Sequence, residues 1–440
     1  MTFPFKKTAS LGALIGALIL AAPGAQAEPL EKELQGLLLD HPQIRAAGKG
    51  VEAARETVNS TASEFLPTVT LEGDLGPEYI DNPTSRGRED GDAWVRTRNV
   101  ATLSVEQNIF NGFSSSAALR AAELSRALAE VSYEGTRQNT LFEGIRTYVD
   151  VLRQRRLVGL AVDAENTIQH QLDLEDERVQ RGAGLAVDVL QAKSRLQIAK
   201  ERRVSLEGDL QNAISRYIQV YDHAPNLGTM MDPAPPAETI PSELDRVIEV
   251  ALRENPAVGD SDMSVEIARE QRNVAKSGFY PSLDVVGTAN YEKHKTGVLG
   301  TRRDGSVLLQ TTWDLFSGFA TEAEVAKSTF DYRAAKDNMD YTLRKVVEQT
   351  RLAWQSLLTA RQRLDLLENA VSIAAEVFEA RKALREAGKE TVINVLDAEN
   401  EVTNAQINYA AALYDERVAI YQVLLAMGRL KPANLQMAAN

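Results

Sequence analysis

Two proline-free stretches of about 70 residues, Gly112–Arg181 and Gly318–Gly388, constrain this chain more than anything else in it. In the first, Leu141, Ile145, Tyr148 and Leu152 recur at helical spacing. Read as one helix, such a run spans about 105 Å, far beyond the 11–12 residues of an ordinary globular helix. A glycine turn ends each run, Arg181-Gly182-Ala183-Gly184 in one case and Gly388 in the other. A chain with two such helices must build a wall or a stalk along them.

The two runs belong to a duplication. His41-Pro42 matches Asn255-Pro256, Ala54-Arg55-Glu56 matches Ala268-Arg269-Glu270, and Phe65-Leu66-Pro67 matches Phe279-Tyr280-Pro281, all displaced by 214 positions. Gly112-Phe113 matches Gly318-Phe319, Gly182 matches Gly388, and Val189-Leu190 matches Val395-Leu396, displaced by 206. The difference lies in the segments between, which must be loops. Each half is expected to open with one helix (about 30–65, then about 242–280) that a proline stops. Two strands of period-two alternation follow. Val69, Leu71 and Leu75 oppose Thr70, Glu72 and Asp74, and Val105 opposes Ser104. In the second half Val285, Ala289 and Tyr291 oppose Asp284, Thr288 and Asn290, and Val307, Leu309 and Leu315 oppose Ser306, Gln310 and Asp314. Loops 76–94 and 293–305 join the strand pairs. Then come the long helix, the turn and a shorter helix (about 185–222, then 390–429). Helices 185–222 and 242–280, laid head to tail, match one long helix in length, with a Pro-rich joint, Pro225–Pro241, at mid-height outside the bundle.

Residues 1–27 read as a secretory signal: Lys6 and Lys7, the apolar run Leu11–Ala22, then Ala25-Gln26-Ala27. The organisation is then 28–222 as first repeat, 223–241 as linker, 242–430 as second repeat and 431–440 as tail. No cysteine is present, which excludes disulfides and thiol chemistry. A net charge of −13 leaves no basic stripe for nucleic acid. His41, His170, His223 and His294 lack metal-ligand spacing, no phosphate loop follows the turn glycines, and no cofactor or catalytic residue is expected. Four amphipathic strands per chain leave exposed edges, and three copies give twelve strands, a closable membrane barrel. Tyr79, Trp94, Tyr291 and Trp313 sit where an interfacial aromatic girdle belongs.

The ordered set as a whole, with Leu315-Phe-Ser-Gly-Phe319 and Val392-Ile-Asn-Val-Leu-Asp-Ala398, resembles the TolC-like outer-membrane efflux and secretion channels. The resemblance covers the mature chain. It implies a mainly α fold with a membrane β-barrel part: a homotrimer whose twelve-stranded barrel in the outer membrane of a Gram-negative cell continues into a helical periplasmic tunnel. It implies export, by type I protein secretion or multidrug efflux, with a periplasmic adaptor and an inner-membrane transporter, and no enzyme activity. By the same resemblance the turns at Gly182, Gly184 and Gly388 dock the adaptor. Asp397 lines the tunnel entrance, while Asn394 stands where the family pattern has a second aspartate. Asp188, its counterpart in the first repeat, and Arg385 and Glu390 fall where the family places gate contacts. Glu390 also suits the positive end of a helix dipole. A trimeric coiled-coil stalk or adhesin is the alternative. It would show unbroken heptads and one terminal strand block, and here strands occur twice inside the chain. A periplasmic adaptor, the third reading, would carry one hairpin rather than two.

Overall fold

The computed structural model describes residues 30–435 apart from 82, 84–93 and 183. The expected signal segment and the last residues of the tail, 436–440, lie outside the described residues. The elements run α1 (Leu30–Asp40), α2 (Pro42–Ala62), β1 (Thr68–Ile80), β2 (Trp94–Asn111), α3 (Ser114–Gln180), α4 (Ala186–Tyr221), α5 (Leu244–Glu254), α6 (Pro256–Lys276), β3 (Ser282–Lys293), β4 (Thr301–Thr312), α7 (Ala320–Glu386) and α8 (Val392–Ala426). The same order of elements therefore occurs twice.

Each long helix has 67 residues and is about 100 Å long. Half of α3 packs against α2 and α6, and the other half against α4 and α8; α7 packs on α6 and α5, then on α8. Two shorter helices in line thus accompany each long one. The pairing differs from the expectation. Helix α4 meets α1, through Tyr217, Val220 and Tyr221 against Leu34 and Leu37, and α8 meets α5, through Ile420, Val423 and Met427 against Val247. Helices 185–222 and 242–280 are consecutive in sequence yet stand in different columns.

The expected single helices 30–65 and 242–280 are each two helices. The chain breaks at His41 (ψ 127°) and Asn255 (ψ 126°), because a residue before proline is driven out of the α region. These breaks form the joint between stacked helices. At the second one, the Asn255 side chain caps α6 by accepting from Ala257 N at 2.9 Å and donates to Ala426 O at 2.8 Å. Arg429 grips Glu254 with two hydrogen bonds of 2.7 and 2.8 Å. Gly428 (φ 72°) passes so close that a Cβ there would fall 2.3 Å from Glu254 O. The linker packs onto the same level: Tyr148 OH bonds the backbone of Met231 at 3.0 Å, and Tyr414 OH donates to Asp232 at 2.9 Å.

The four strands form one antiparallel sheet in the order β1-β2-β3-β4. Val69 faces Val105, Leu71 faces Leu103, and Val285 faces Leu309, so one face is apolar. Thr70–Ser104, Glu72–Thr102 and Asn290–Asp304 fall on the other. A bulge at Asn108/Phe110 is pinned by Asn108 Nδ2 donating to Asp284 at 2.6 Å. The connecting loops are shorter than expected, because the strands continue through Ile80, Trp94, Lys293 and Thr301. Pro77 sits inside β1, which tolerates it as an edge strand. At the other end β4 stops at Thr312, so Asp314 and Leu315 lie outside it. There the Trp313 indole N–H donates to Phe279 O at 3.2 Å as the chain turns into α7.

The Arg429 hydrogen bonds, with a smaller contribution from Arg253, hold the Glu254 carboxyl down at about 2. A depressed carboxylate stabilises fully above its ordinary range and loses that contribution as pH falls through the folded value. The melting temperature of the wild-type protein should therefore drop more steeply than that of Glu254→Gln between about pH 4.5 and about pH 2; parallel curves would mean that the clasp carries no stability. Gly428→Ala should also melt lower, by about 1–3 kcal/mol of backbone strain.

Candidate functional site at the hairpin tips

The helical ends farthest from the sheet are the turns 181–185 and 387–391. Gly182 (φ 74°) and Gly388 (φ 72°) adopt left-handed backbone there, the conformation glycine reaches without a Cβ penalty. Gly182 N bonds Val179 O at 3.0 Å, and Gly388 N bonds Arg385 O at 3.0 Å, closing the last turns of α3 and α7. Gly184 packs onto its own helix end, where a Cβ would lie 2.9 Å from Val179 Cγ2. Ala183 lies outside the described residues.

Behind the turns the two hairpins are joined by charge. Arg385, at the end of α7, donates to both oxygens of Glu175 on α3, at 3.1 and 2.6 Å. Its guanidinium also lies 3.4 Å from Asp188 on α4 and donates to Glu390 O at 2.9 Å. Arg178 adds a contact to Glu175 at 3.0 Å. The Glu175 side chain is 1% exposed, and a buried carboxylate persists only when paired and hydrogen-bonded. Among the described residues Arg385 is thus the one side chain here that touches α3, α4 and the turn of its own hairpin.

Glu390 anchors that turn. It accepts from Asn394 Nδ2 at 2.6 Å and from Thr391 N at 3.0 Å, with Arg381 at 3.3 Å. The Asn394 and Thr391 hydrogen bonds, then the charges of Arg381 and Arg385, hold its carboxyl below the usual range. Glu390 thus stands just before the start of α8, where its charge suits the helix end.

Asp397 does not stand alone. Arg195 on α4 donates to it at 2.6 Å, and one heptad on Arg202 donates to Asn404 at 2.7 Å. The negative charge of Asp397 is therefore offset within the chain by a guanidinium. Beneath these links Leu172, Val189, Ala192, Leu196 and Leu396 form a small apolar core.

Arg385, Asp188, Glu390 and Asn394, expected together, are brought together. Glu175, Arg178, Arg195 and Arg381 were missed. Each stands at an ordinary helical position, and the available signal was the heptad spacing that Arg195 and Arg202 share with Asp397 and Asn404.

At the far end, Tyr79 and Tyr291 lie on the apolar face of the sheet near the loops. Trp94 opens β2 opposite Ile80, the pair next along the ladder from Tyr79–Val95, and so belongs by register to the other face. Trp313 lies at the opposite end, where the sheet meets the helices. There it joins aromatic residues that the sequence reading left out: Phe113, Tyr280, Phe316 and Phe319, all exposed. Phe113 and Phe319 each follow a left-handed glycine and are themselves left-handed (φ 69° and 66°). Phe110–Phe113 and Phe316–Phe319 pack edge to face at 5.2 and 5.5 Å.

Comparison with known proteins gives a consistent result. The sequence profile of the family described as "Outer membrane efflux protein" matches residues 34–217 and 247–429. The outer membrane protein TolC of Escherichia coli K12 is 24% identical over 424 residues, covering 93% of this chain and 84% of that protein. The outer membrane efflux protein BepC of Brucella suis is 23% identical over 426 residues, covering 97% and 91%. Among solved structures, a membrane protein from Pseudomonas aeruginosa superposes with a TM-score of 0.80 at 16% identity, covering 91% of this chain and 93% of that one.

Removing one partner of a buried ion pair strands the other and costs about 3–5 kcal/mol. Arg385→Met and Glu175→Gln should each lower the melting temperature of the purified protein, and the double variant should cost far less than their sum. Additive losses would show that the two side chains act independently.

Proposed function

The chain belongs to the outer membrane efflux protein family, and on that footing we propose that it is a homotrimeric export duct running from the outer membrane into the periplasm. The family is one of outer-membrane channels rather than enzymes. The observation that carries the trimeric reading is the sheet: four antiparallel strands, apolar on one face, whose outer strands β1 and β4 each leave one edge without a strand partner among the described residues. In lipid such edges are untenable, because every backbone N–H and C=O must be paired. Three copies joined β4 to β1 close a twelve-stranded barrel. Strands of 12 residues tilted by about 40° cover about 30 Å, enough for the roughly 25 Å apolar band of such barrels. Among the described residues no helix is long and apolar enough to cross a membrane.

In this reading Tyr79 and Tyr291 mark the outer membrane interface, and Trp313 with Phe113, Phe316 and Phe319 marks the periplasmic one. Trp94, also expected in that girdle, lies at the same end of the sheet but by register on the opposite face from Tyr79. The polar face of the sheet lines the conduit. The hairpin tips form its periplasmic mouth, and Arg385, holding Glu175 and Asp188, latches the second hairpin to the first. Asp397, Asn394 and Glu390 line or brace that mouth. The turns at Gly182, Gly184 and Gly388 present themselves to a periplasmic adaptor, which couples the duct to an inner-membrane transporter. The cargo is a secreted protein or a drug. A coiled-coil stalk is disfavoured by strands that lie between the helices in both halves.

Purified protein should require detergent and run at three times the mass of the mature chain; a monodisperse monomer without detergent would sink the proposal. An epitope inserted beside Gly300, in the β3–β4 loop, should be labelled on intact cells. Labelling only after the outer membrane is permeabilised would reverse the orientation.

A further inference from the structure

The charges of the sheet are sorted by face. Every carboxylate of the four strands lies on the polar face: Glu72, Asp74 and Glu78 on β1, Glu106 on β2, Asp284 and Glu292 on β3, and Asp304 on β4. Two cations on that face are held by them, Arg98 by Asp74 at 2.8 Å and Arg302 by Asp304 at 3.1 Å. The apolar face carries only two charges, Lys293 and Arg303, both at the loop end. Neither has a carboxylate within ion-pair distance among the described residues. Arg303 faces Tyr291 across the ladder, its guanidinium 5.7 Å from the ring centroid. Lys293 pairs with Thr301 and is the diagonal neighbour of Arg303, so the two lie within about 8 Å of each other. Directly toward the helices a shallow groove of about 670 Å³ runs over the same face, bordered by Leu71, Ala101, Leu103, Ala289, Tyr291 and Gly305. The small side chains in the middle of the sheet make it.

We propose that Lys293 and Arg303 bind the phosphorylated headgroup of a lipid of the surrounding leaflet, with its acyl chain lying in the groove. This rests on the reading of the sheet as the wall of a membrane barrel. The argument is charge complementarity. An unpaired cation on a lipid-facing wall is costly at mid-membrane and nearly free at the interface. There the anionic group that meets it is a lipid phosphate, while the acyl chain needs an apolar trough that begins beside the phosphate. Two adjacent donors, one a planar fork and the other a flexible ammonium, suit a phosphate oxygen set. Free phosphate would use the donors alone and leave the groove without a role.

The test is native mass spectrometry of the detergent-purified protein, delipidated and titrated with bis-phosphorylated lipid A. A dephosphorylated lipid A and inorganic phosphate serve as controls. The wild type should retain the phosphorylated lipid and release the dephosphorylated one. Excess inorganic phosphate should displace it only weakly. Near a membrane surface each cation is worth about fivefold in anionic-lipid affinity. Lys293→Ala or Arg303→Ala should therefore weaken retention about fivefold, and the double variant about 30-fold. The swap Lys293→Arg with Arg303→Lys should keep it. Equal retention by the double alanine variant, or equal retention of the dephosphorylated lipid, overturns the proposal. Full displacement by inorganic phosphate also overturns it, in favour of a plain anion site. The same preparations report on the barrel reading. Detergent-dependent trimers with unchanged lipid retention sink the lipid site alone, whereas a protein soluble without detergent removes the membrane wall and the site together.

Discussion

Length matching between helices is the constraint on which the rest depends. A helix of 67 residues cannot be covered by one of 36, and a bare helix of this amphipathic kind gains its stability from packing rather than propensity. The shortfall is made up by a second helix set on the end of the first, which creates a seam at mid-height. Helix ends carry unsatisfied N–H and C=O groups, so the seam must be chemically finished. Asn255 does this by serving both ends at once, capping α6 and donating to Ala426 O. Arg429 and Glu254 close it with a bidentate pair, and Gly428 lets the backbones touch. The apolar cluster of Leu34, Tyr148, Tyr217 and Leu424 fills the interior at that level. Sheet and tips can be about 100 Å apart and still keep register because this joint is rigid.

Much of the fold was legible because its signals are local. Period-two alternation of Val69, Leu71 and Leu75 against Glu72 and Asp74 names a strand and its faces without knowledge of its partner. Glycine after a long proline-free run names a turn. The stacking of the helices was not legible, since nothing local distinguishes which short helix stands on which. Pro42 and Pro256 are legible as repeat markers, while the breaks at His41 and Asn255 come from the exclusion of a pre-proline residue from the α region, which helical periodicity on either side conceals. At the tips the reading reached Arg385, Asp188, Glu390 and Asn394 but not Glu175 or Arg195. These lie 210 residues from Arg385 and 202 from Asp397 respectively, and a charged residue on a helix looks the same in sequence whether it faces water or a neighbour.

The tip contacts also set the electrostatics of the hairpin ends. Asp397 with Arg195 is about half exposed, and such surface pairs are worth about 0–1 kcal/mol. Glu175 with Arg385 is buried on the carboxylate side, where loss of either partner is costly. The two pairs thus differ in kind: the first trims the charge presented to solvent, and the second fixes how the hairpins lie against each other.

The two halves repeat in sequence but not in surroundings. Helix α3 has twenty-one buried residues and α7 has seven, because α3 lies between neighbours of its own chain and α7 lies at its margin. Exposed Phe330, Tyr341, Leu352, Leu366 and Ile373 run along that margin. In a ring of identical chains, whatever meets this stripe is encoded by the same gene. A change on α3 can be answered by any of several helices beside it, whereas a change on α7 is copied into every junction of the ring at once. In such a ring the two duplicated helices, equal at their origin, are free to drift at different speeds, with the marginal one tied to a surface on the opposite flank of its own fold.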